Sequence, residues 1–303
     1  MKKLFKSTIL LAMTVMCVAT TAVRAQNSED FFARYYSELR VNTHDGKYGL
    51  LFRGEVVIPY EYDAIVAQGD NRGFISRQGS KYGIIGVGDT NYSPTAHAGN
   101  ISRQVWNFHI KKEVDEKDIY LFVSVVPCEY DKINCTDGRF WVSKGNLHGI
   151  YSMSGSNVLP CEYDNIKTID GRYWVSKGSQ TGVYTMSGGT VLRCGEFDDI
   201  KTKDGRYWVK KGNKTGICTM SGGTVLRCEF DDIKTVNGRY WVSTGKLKGI
   251  YTLSGGTILR CEFDKIELTS DGKYLAYKDE KKSLYSSSGG LLQTEFNVVY
   301  STD

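Results

Sequence analysis

The sequence predicts an all-β fold built from tandem, three-stranded antiparallel repeats of about 33 residues, and three observations lead there. An aromatic residue followed by Asp recurs at Asp131, Asp164, Asp198, Asp231 and Asp264, with steps of 33, 34, 33 and 33. Trp141, Trp174, Trp208 and Trp241 keep the same steps. Each copy also carries an Asp-Gly or Asn-Gly pair, at 137–138, 170–171, 204–205, 237–238 and 271–272. A fixed period of this size marks an array of stacked supersecondary units, because one such unit cannot bury its own apolar face.

The chain opens with Lys2, Lys3 and Lys6, then an apolar run over 9–23 that ends in "AVRA". This reads as a signal peptide over 1–25, cut before Gln26. As a helix the run would span about 22 Å at 1.5 Å per residue, short of a hydrocarbon core of about 30 Å. Losing Lys2, Lys3, Lys6 and Arg24, with no acid among them, lowers the formal charge from +5 by four to +1. A near-neutral mature chain gives no basis for nucleic-acid binding or a basic membrane patch, and no later run is long and apolar enough to span a bilayer. The expected location is therefore exported: periplasm, cell surface or secreted.

Residues 26–40 form a lead-in. Its "EDFFARYYSE" reads as a short helix starting near Ser28, with an extension of the first strand as the alternative. The repeat domain then covers 41–303, beginning with "GEVVIPYEYDAI", which carries Asp63. From Gly86 to about Leu121 the period breaks, and "SPTAHAGN" and "KKEVDEKD" make this insertion, about 87–121, a surface excursion or a worn unit. The last copy, "GGLLQTEFNVV", has Asn297 in place of the aspartate, giving seven anchors in all.

Inside one unit, "RYWVS", "GIYTLS" and "TILRCEFDKI" are three strand-prone runs. Asp-Gly and Asn-Gly accept the positive φ angles of type I′ hairpin turns and should join neighbouring units. "SGG" at 221, 254 and 288 should turn the second run into the third, and a "KG" with a few polar residues the first into the second. The extra Gly195, which makes the one 34-residue step, fits a β-bulge. An open or gently curved stack accounts for 33 residues and three runs better than a propeller-like ring, whose blades have four strands in about 40 residues.

Two stretches, "YGLLFRGEVVIPYEYDAI" at 48–65 and "HGIYSMSGSNVLPCEYDNI" at 148–166, resemble the units of bacterial WG-repeat proteins: an aromatic-Gly-Leu/Ile start, a turn, then "VIP…YD.I". The tryptophan that names the family is replaced before glycine by Tyr48, Tyr82, His148, Thr181, Thr215 and Lys248. The resemblance implies an exported or envelope-associated β-repeat protein and adds little about activity.

Period-2 alternation in "TVLRCEFD" puts Leu226, Cys228 and Phe230 on one face, so Cys128, Cys161, Cys194, Cys228 and Cys261 are expected in the core as small hydrophobes. Tyr60 and Thr294 stand at that position in the first and last units, so it does not demand a thiolate. Seven mature cysteines are an odd number, which leaves one free even if Cys135 or Cys218 pairs with a ladder member. Cys-x-x-Cys pairs and clustered histidines are lacking, so no metal and no cofactor are expected. The recurrent Asp suits backbone hydrogen bonding where the strand turns better than it suits calcium. His44, His97, His109 and His148 lie in unrelated contexts, without a nucleophile elbow or phosphate loop, so the chain is not expected to be an enzyme.

The candidate ligand-binding residues are Trp141, Trp174, Trp208 and Trp241 with Arg139, Arg172, Arg206 and Arg239, which alternation places on one strand face as an aromatic-basic stripe. Its plainer use is packing, with each Arg paired to Glu129, Glu162, Glu196 or Glu229. The function expected is a protein-interaction scaffold in the cell envelope; the alternative is a carbohydrate-binding module, with a glycan on the stripe.

Overall fold

The computed structural model describes residues 35–69, 72–90, 105–111 and 118–297. The signal peptide expected over 1–25 and most of the insertion's loop lie outside the described residues. Of the expected lead-in helix, Tyr35 and Tyr36 are described and carry a helical turn, which leads into strand Leu39–His44.

The described residues form seven antiparallel sheets in chain order, none closed into a barrel. Sheet 1 (39–62) has three strands, sheet 2 (64–130) five, and sheets 3 (132–163), 4 (165–197), 5 (199–230), 6 (232–263) and 7 (265–297) four each. The chain divides into two compact units, Met1–Tyr163 with sheets 1–3 and Asp164–Asp303 with sheets 4–7. This is the expected all-β array of repeats.

The strand count per sheet differs from the three runs because the third run breaks at its aspartate. Thr257–Phe263 closes sheet 6, and after Asp264 the strand Lys265–Leu268 opens sheet 7. The Asp-Gly hairpins therefore lie inside a sheet, between its first two strands, and the chain crosses to the next sheet at the aspartate. Both residues of those turns have positive φ, as in Asp204 at 51° and Gly205 at 64°, which fixes type I′ geometry. Asp271-Gly272 departs from this: only Gly272 has positive φ, and a wider loop is closed by Thr269 N–H donating to Lys273 O at 2.9 Å. Gly195 has φ 92° within strand Thr190–Phe197, as its role in a bulge requires.

The insertion is in part sheet. Lys81–Thr90 pairs with Asp118–Tyr130 along its length to Thr90 opposite Tyr120, and Val105–Lys111 adds an edge strand beyond. The ladder of sheet 2 runs on past the repeat pattern.

Successive sheets within each unit stack face on face. In the second unit, Ile217, Leu226 and the half-buried Trp208 of sheet 5 meet Ile233, Tyr240 and Val242 of sheet 6. Ile250, Leu259 and Trp241 of sheet 6 meet Ile266, Tyr274 and Ala276 of sheet 7 in the same way. In the first unit, Ile84 and Val126 of sheet 2 meet Ile133, Phe140 and Val142 of sheet 3. Each interface is a thin apolar layer contributed half by each neighbour, so a single sheet is unstable alone. A turn locks the stack at one end: a Cβ on Gly222, whose φ is 91°, would strike the Val191 carbonyl of the preceding sheet, and Gly255 and Gly289 stand likewise against Val225 and Ile258.

Candidate functional site

The second strand of each regular sheet carries the tryptophan and arginine at fixed places: Arg139–Lys144, Arg172–Lys177, Arg206–Lys211 and Arg239–Thr244. Alternation sends Tyr240 and Val242 into the core and leaves Arg239, Trp241 and Ser243 partly exposed on the opposite face. That face is the one that meets the next sheet. Trp174 makes an edge contact with Tyr207 at 5.9 Å between ring centroids, Trp208 with Tyr240 at 6.3 Å and Trp241 with Tyr274 at 6.1 Å. In the second unit each tryptophan thus lies half-buried at the rim of an inter-sheet layer, one edge packed against the tyrosine of the next sheet.

The arginines do not reach the glutamates. Arg139, Arg206 and Arg239 each donate from Nη1 to the carbonyl of the glycine just before them, at 3.0, 3.4 and 3.0 Å. Glu129 pairs with Lys144 at 2.8 Å, and Glu262 with Lys278 at 3.2 Å. The reason is position: arginine begins the second strand beside the type I′ turn, whereas the glutamate sits near the strand's other end. Arg172 lies close enough to Tyr207 for its charge to act on that phenol, which burial pushes up as the larger effect.

The recurrent aspartate is a clamp. Its N–H donates to a carbonyl of the following sheet, as Asp231 to Ser243 at 2.8 Å, and its carboxylate accepts the N–H of the glycine that opens the turn between that sheet's second and third strands. Those contacts are Asp63–Gly79 at 2.5 Å, Asp131–Gly145 at 2.7 Å, and Asp164–Gly178, Asp198–Gly212 and Asp231–Gly245 at 2.6 Å each. A lysine from the preceding sheet joins at three anchors: Lys47 on Asp63 at 2.6 Å, Lys214 on Asp231 at 2.7 Å, and Lys81 on Asp131. These lysine bonds first, and the glycine N–H bonds second, hold the three carboxyls below the ordinary aspartate range. Asp264 has a weaker bond, 3.3 Å to the N–H of Asp279, because no glycine opens the turn there.

The glycine of the third strand, which sequence reasoning left unexplained, has a steric origin. Ile217 is opposite Leu226 and Thr215 opposite Phe230, so two steps on the third strand match four on the fourth. The surplus folds over Gly216, where a Cβ would sit 2.7 Å from Leu226 O and 2.8 Å from Cys228 N. Gly149, Gly182 and Gly249 meet Cys161, Cys194 and Cys261 in the same way. The bulge also overturns the expected face of the ladder cysteines. Cys228 packs with Val209 and Cys218, while Leu226 and Phe230 face the other layer. Its sulfur is 3.7 Å from Val209 O. The ladder thiols are half-buried, Cys218 is buried, and all seven described cysteines are free.

At sheet 3 the tryptophan face opens into a cleft of about 370 Å³, lined by Lys132, Asn134, Thr136, Trp141, Ser143 and His148. The ladder puts these side chains in register on one face: Asn134 beside Trp141, and Lys132, Ser143 and His148 in one row. Among the other histidines named from the sequence, His44 is exposed beside Asp45 at 3.4 Å; His97 lies outside the described residues, as does the side chain of His109. Among the described residues no group of three or more His, Cys, Asp or Glu is placed to hold a metal ion, and no helix is long and apolar enough to cross a membrane.

No curated protein matches the sequence. Among solved structures the chain is similar to Hsv2p of Kluyveromyces lactis, with 11% identity, TM-score 0.22, and coverage of 79% of this chain and 84% of that one. It is similar to PorZ, a surface component of the type-IX secretion system of Porphyromonas gingivalis, with 8% identity, TM-score 0.24, and coverage of 87% and 40%. It is also similar to the extracellular domain of BT4673 from B. thetaiotaomicron, with 10% identity, TM-score 0.20, and coverage of 86% and 48%. Likenesses at such TM-scores say nothing of function. A family model for the WG containing repeat matches residues 149–180, which run from the bulge glycine of sheet 3 through the Asp164 crossing into sheet 4. Residues 149–180 thus form a WG containing repeat, and the same clamp and bulge recur on either side of it.

Proposed function

We propose that this protein is an exported, non-catalytic interaction scaffold of the bacterial cell envelope. The observation that carries the reading is the first strand of each regular sheet. Asp199–Lys203 and Asp232–Val236 each turn one isoleucine inward, Ile200 and Ile233, and leave nearly every other residue exposed along an unpaired edge. Lys201, Thr202 and Lys203 recur one repeat later as Lys234, Thr235 and Val236. A partner that meets one such edge meets a near copy of it at the next sheet, so weak contacts add along the array. The lysines on those edges deter non-specific strand pairing and favour a partner with acidic groups.

Export rests on the basic, then apolar, then small-residue pattern of 1–25. N-terminal sequencing of the mature protein should begin at Gln26. The scaffold reading is tested by lysine cross-linking of the protein in intact cells, followed by mass spectrometry. One dominant envelope partner, joined through Lys201, Lys203 or Lys234, is the expected result; recovery of no specific protein would remove the proposal.

A further inference from the structure

Sheet 5 departs from its siblings on its tryptophan face. The ladder sets Lys203 opposite Arg206, Lys201 opposite Trp208 and Asp199 opposite Lys210. Sheets 3, 4 and 6 carry Thr136, Ile169 and Val236 in place of Lys203, and Ser143, Ser176 and Ser243 in place of Lys210. Trp208 thus stands among four cations, Lys201, Lys203, Arg206 and Lys210, with Asp199 as the acid of these rows. Asp199 is taken by Lys201, at 3.3 Å. Lys203 Nζ lies over the indole, 4.9 Å from its centre, and Arg206 donates to Gly205 O. Among the described residues no carboxylate pairs with Lys203, Arg206 or Lys210, that of Asp204 in the turn included.

This face is left uncompensated in two ways. Lys203 and Arg206 are like charges directly opposite each other, which repel across the ladder. Trp208 Nε1–H and Arg206 Nε–H are buried without an acceptor, and a buried donor left unpaired is costly. A single anion supplies both the charge and the acceptors.

We infer that this face of sheet 5 binds a phosphate monoester, with Lys203 and Arg206 on its oxygens and Lys210 adding charge from the far side of Trp208. Three unmatched cations favour a multiply charged anion. A phosphate monoester carries a charge of about −1.5 to −2 at pH 7 on three acceptor oxygens, whereas a carboxylate carries a single charge. The guanidinium fork bonds phosphate oxygens in parallel pairs, and the flexible lysine stem lets Lys203 leave the indole for the anion, which opens Trp208 Nε1–H to it. Lys201, Lys203 and Lys210 are exposed, so the anion enters from solvent. The inference concerns the face of sheet 5 and not its edge, and it needs neither export nor a protein partner.

The test titrates the full chain by calorimetry at neutral pH with inorganic phosphate and glucose 6-phosphate, and with acetate at equal ionic strength. Binding of inorganic phosphate identifies the free anion as sufficient, and binding of glucose 6-phosphate alone identifies the phosphate of a sugar; either is the expected result. Lys203→Ile combined with Lys210→Ser installs the residues that sheet 4 carries at these places, so the melting temperature should hold. Affinity should fall about tenfold or more, as loss of charge-assisted hydrogen bonds requires. Should the pair fail to fold, Lys210→Ser decides alone, since three sibling sheets carry that serine. Lys234→Ser, at the matching place in sheet 6, should leave affinity unchanged. Failure of both phosphates to bind at millimolar concentration overturns the inference. So does acetate binding as well as phosphate, affinity unchanged in the sheet 5 variants, or an equal loss in Lys234→Ser.

Discussion

Asp231 accepts the backbone N–H of Gly245 through Oδ2 at 2.6 Å, fourteen residues further along the chain. The same carboxylate takes Lys214 of the preceding sheet on its other oxygen, at 2.7 Å. One side chain thus ties the end of one sheet to the second tight turn of the next, from the point where the chain passes between them. Asp231→Ala should lower the urea midpoint, and Asp231→Asn, which keeps an acceptor oxygen for Gly245, should lower it less. Asp264→Ala is the control: its 3.3 Å contact to Asp279 is the loosest of the series, and its loss should cost least.

The clamps make the fold acid-sensitive in a defined window. Lysine and glycine N–H bonds hold Asp63, Asp131 and Asp231 below the ordinary aspartate range in the folded chain, and Asp271 is held at about 2 by Lys273 and Thr269. A folded-state value below the unfolded one means stability is fully present above the unfolded value and is lost as pH falls through the folded value. Melting temperature should therefore be level from neutral pH down to about 4 and fall progressively toward about 2. Because the groups are exposed to solvent, high salt should flatten the lysine contribution and leave the glycine N–H contribution. A chain whose melting temperature is unchanged across that acid window would contradict the clamp.

Gly216→Ala tests the bulge. The added methyl would lie 2.7 Å from Leu226 O and 2.8 Å from Cys228 N, and backbone is what must move. Overpacking of this kind costs about 1–3 kcal/mol. Gly205→Ala, where nothing lies within 4 Å but φ is 64°, separates steric crowding from backbone strain. Denaturant unfolding of both variants should show the larger loss at Gly216.

Cys218 is the buried thiol of the seven described, and burial pushes it up to about 11, with Cys228 nearby a lesser contributor in the same direction. The thiolate is the reacting species, so at about pH 8 Cys218 should be the last cysteine alkylated by iodoacetamide in the native chain. Mass spectrometry of a time course reads this directly, and early modification of Cys218 would show that the layer between sheets 4 and 5 opens readily.

Much of this plan was legible in the sequence, and the parts that were not share a cause. Asp204-Gly205 and the "SGG" at 221 announce their turns because each needs positive φ, a demand that shows in residue type. The crossing at Asp231 does not, since it needs only a carboxylate that reaches fourteen residues ahead, and a run read as one strand was therefore two. Cys228 was placed on the wrong face because alternation holds only while two strands advance in step, and the bulge over Gly216 breaks that step. The glycine was the available signal: it recurs at 149, 182, 216 and 249 inside a strand, where glycine marks close backbone approach. The tryptophan stripe was located correctly on its face, but which neighbour covers it depends on the stacking of sheets, a long-range fact that no local pattern carries.

Trp208 brings the packing question to one side chain. Its ring meets Tyr240 edge-on at 6.3 Å, it borders the layer of Ile217, Leu226 and Val242, and Lys203 lies over its face. Its indole N–H is buried without a hydrogen-bond partner. Removing the ring forfeits contact with that layer and leaves Tyr240, which is 4% exposed, without its neighbour. Because the ring is half-buried, Trp208→Ala should cost about 2–3 kcal/mol, below the 3–5 typical of a fully enclosed tryptophan. Trp208→Phe keeps an aromatic edge and deletes the orphaned N–H, so it should cost clearly less. A double-mutant cycle with Tyr240→Leu should return a coupling of about 0.5–1.5 kcal/mol, the range for an aromatic pair beyond its buried area. Zero coupling with an unchanged unfolding midpoint for Trp208→Ala would mean that the indole is held for a ligand and not for the stack.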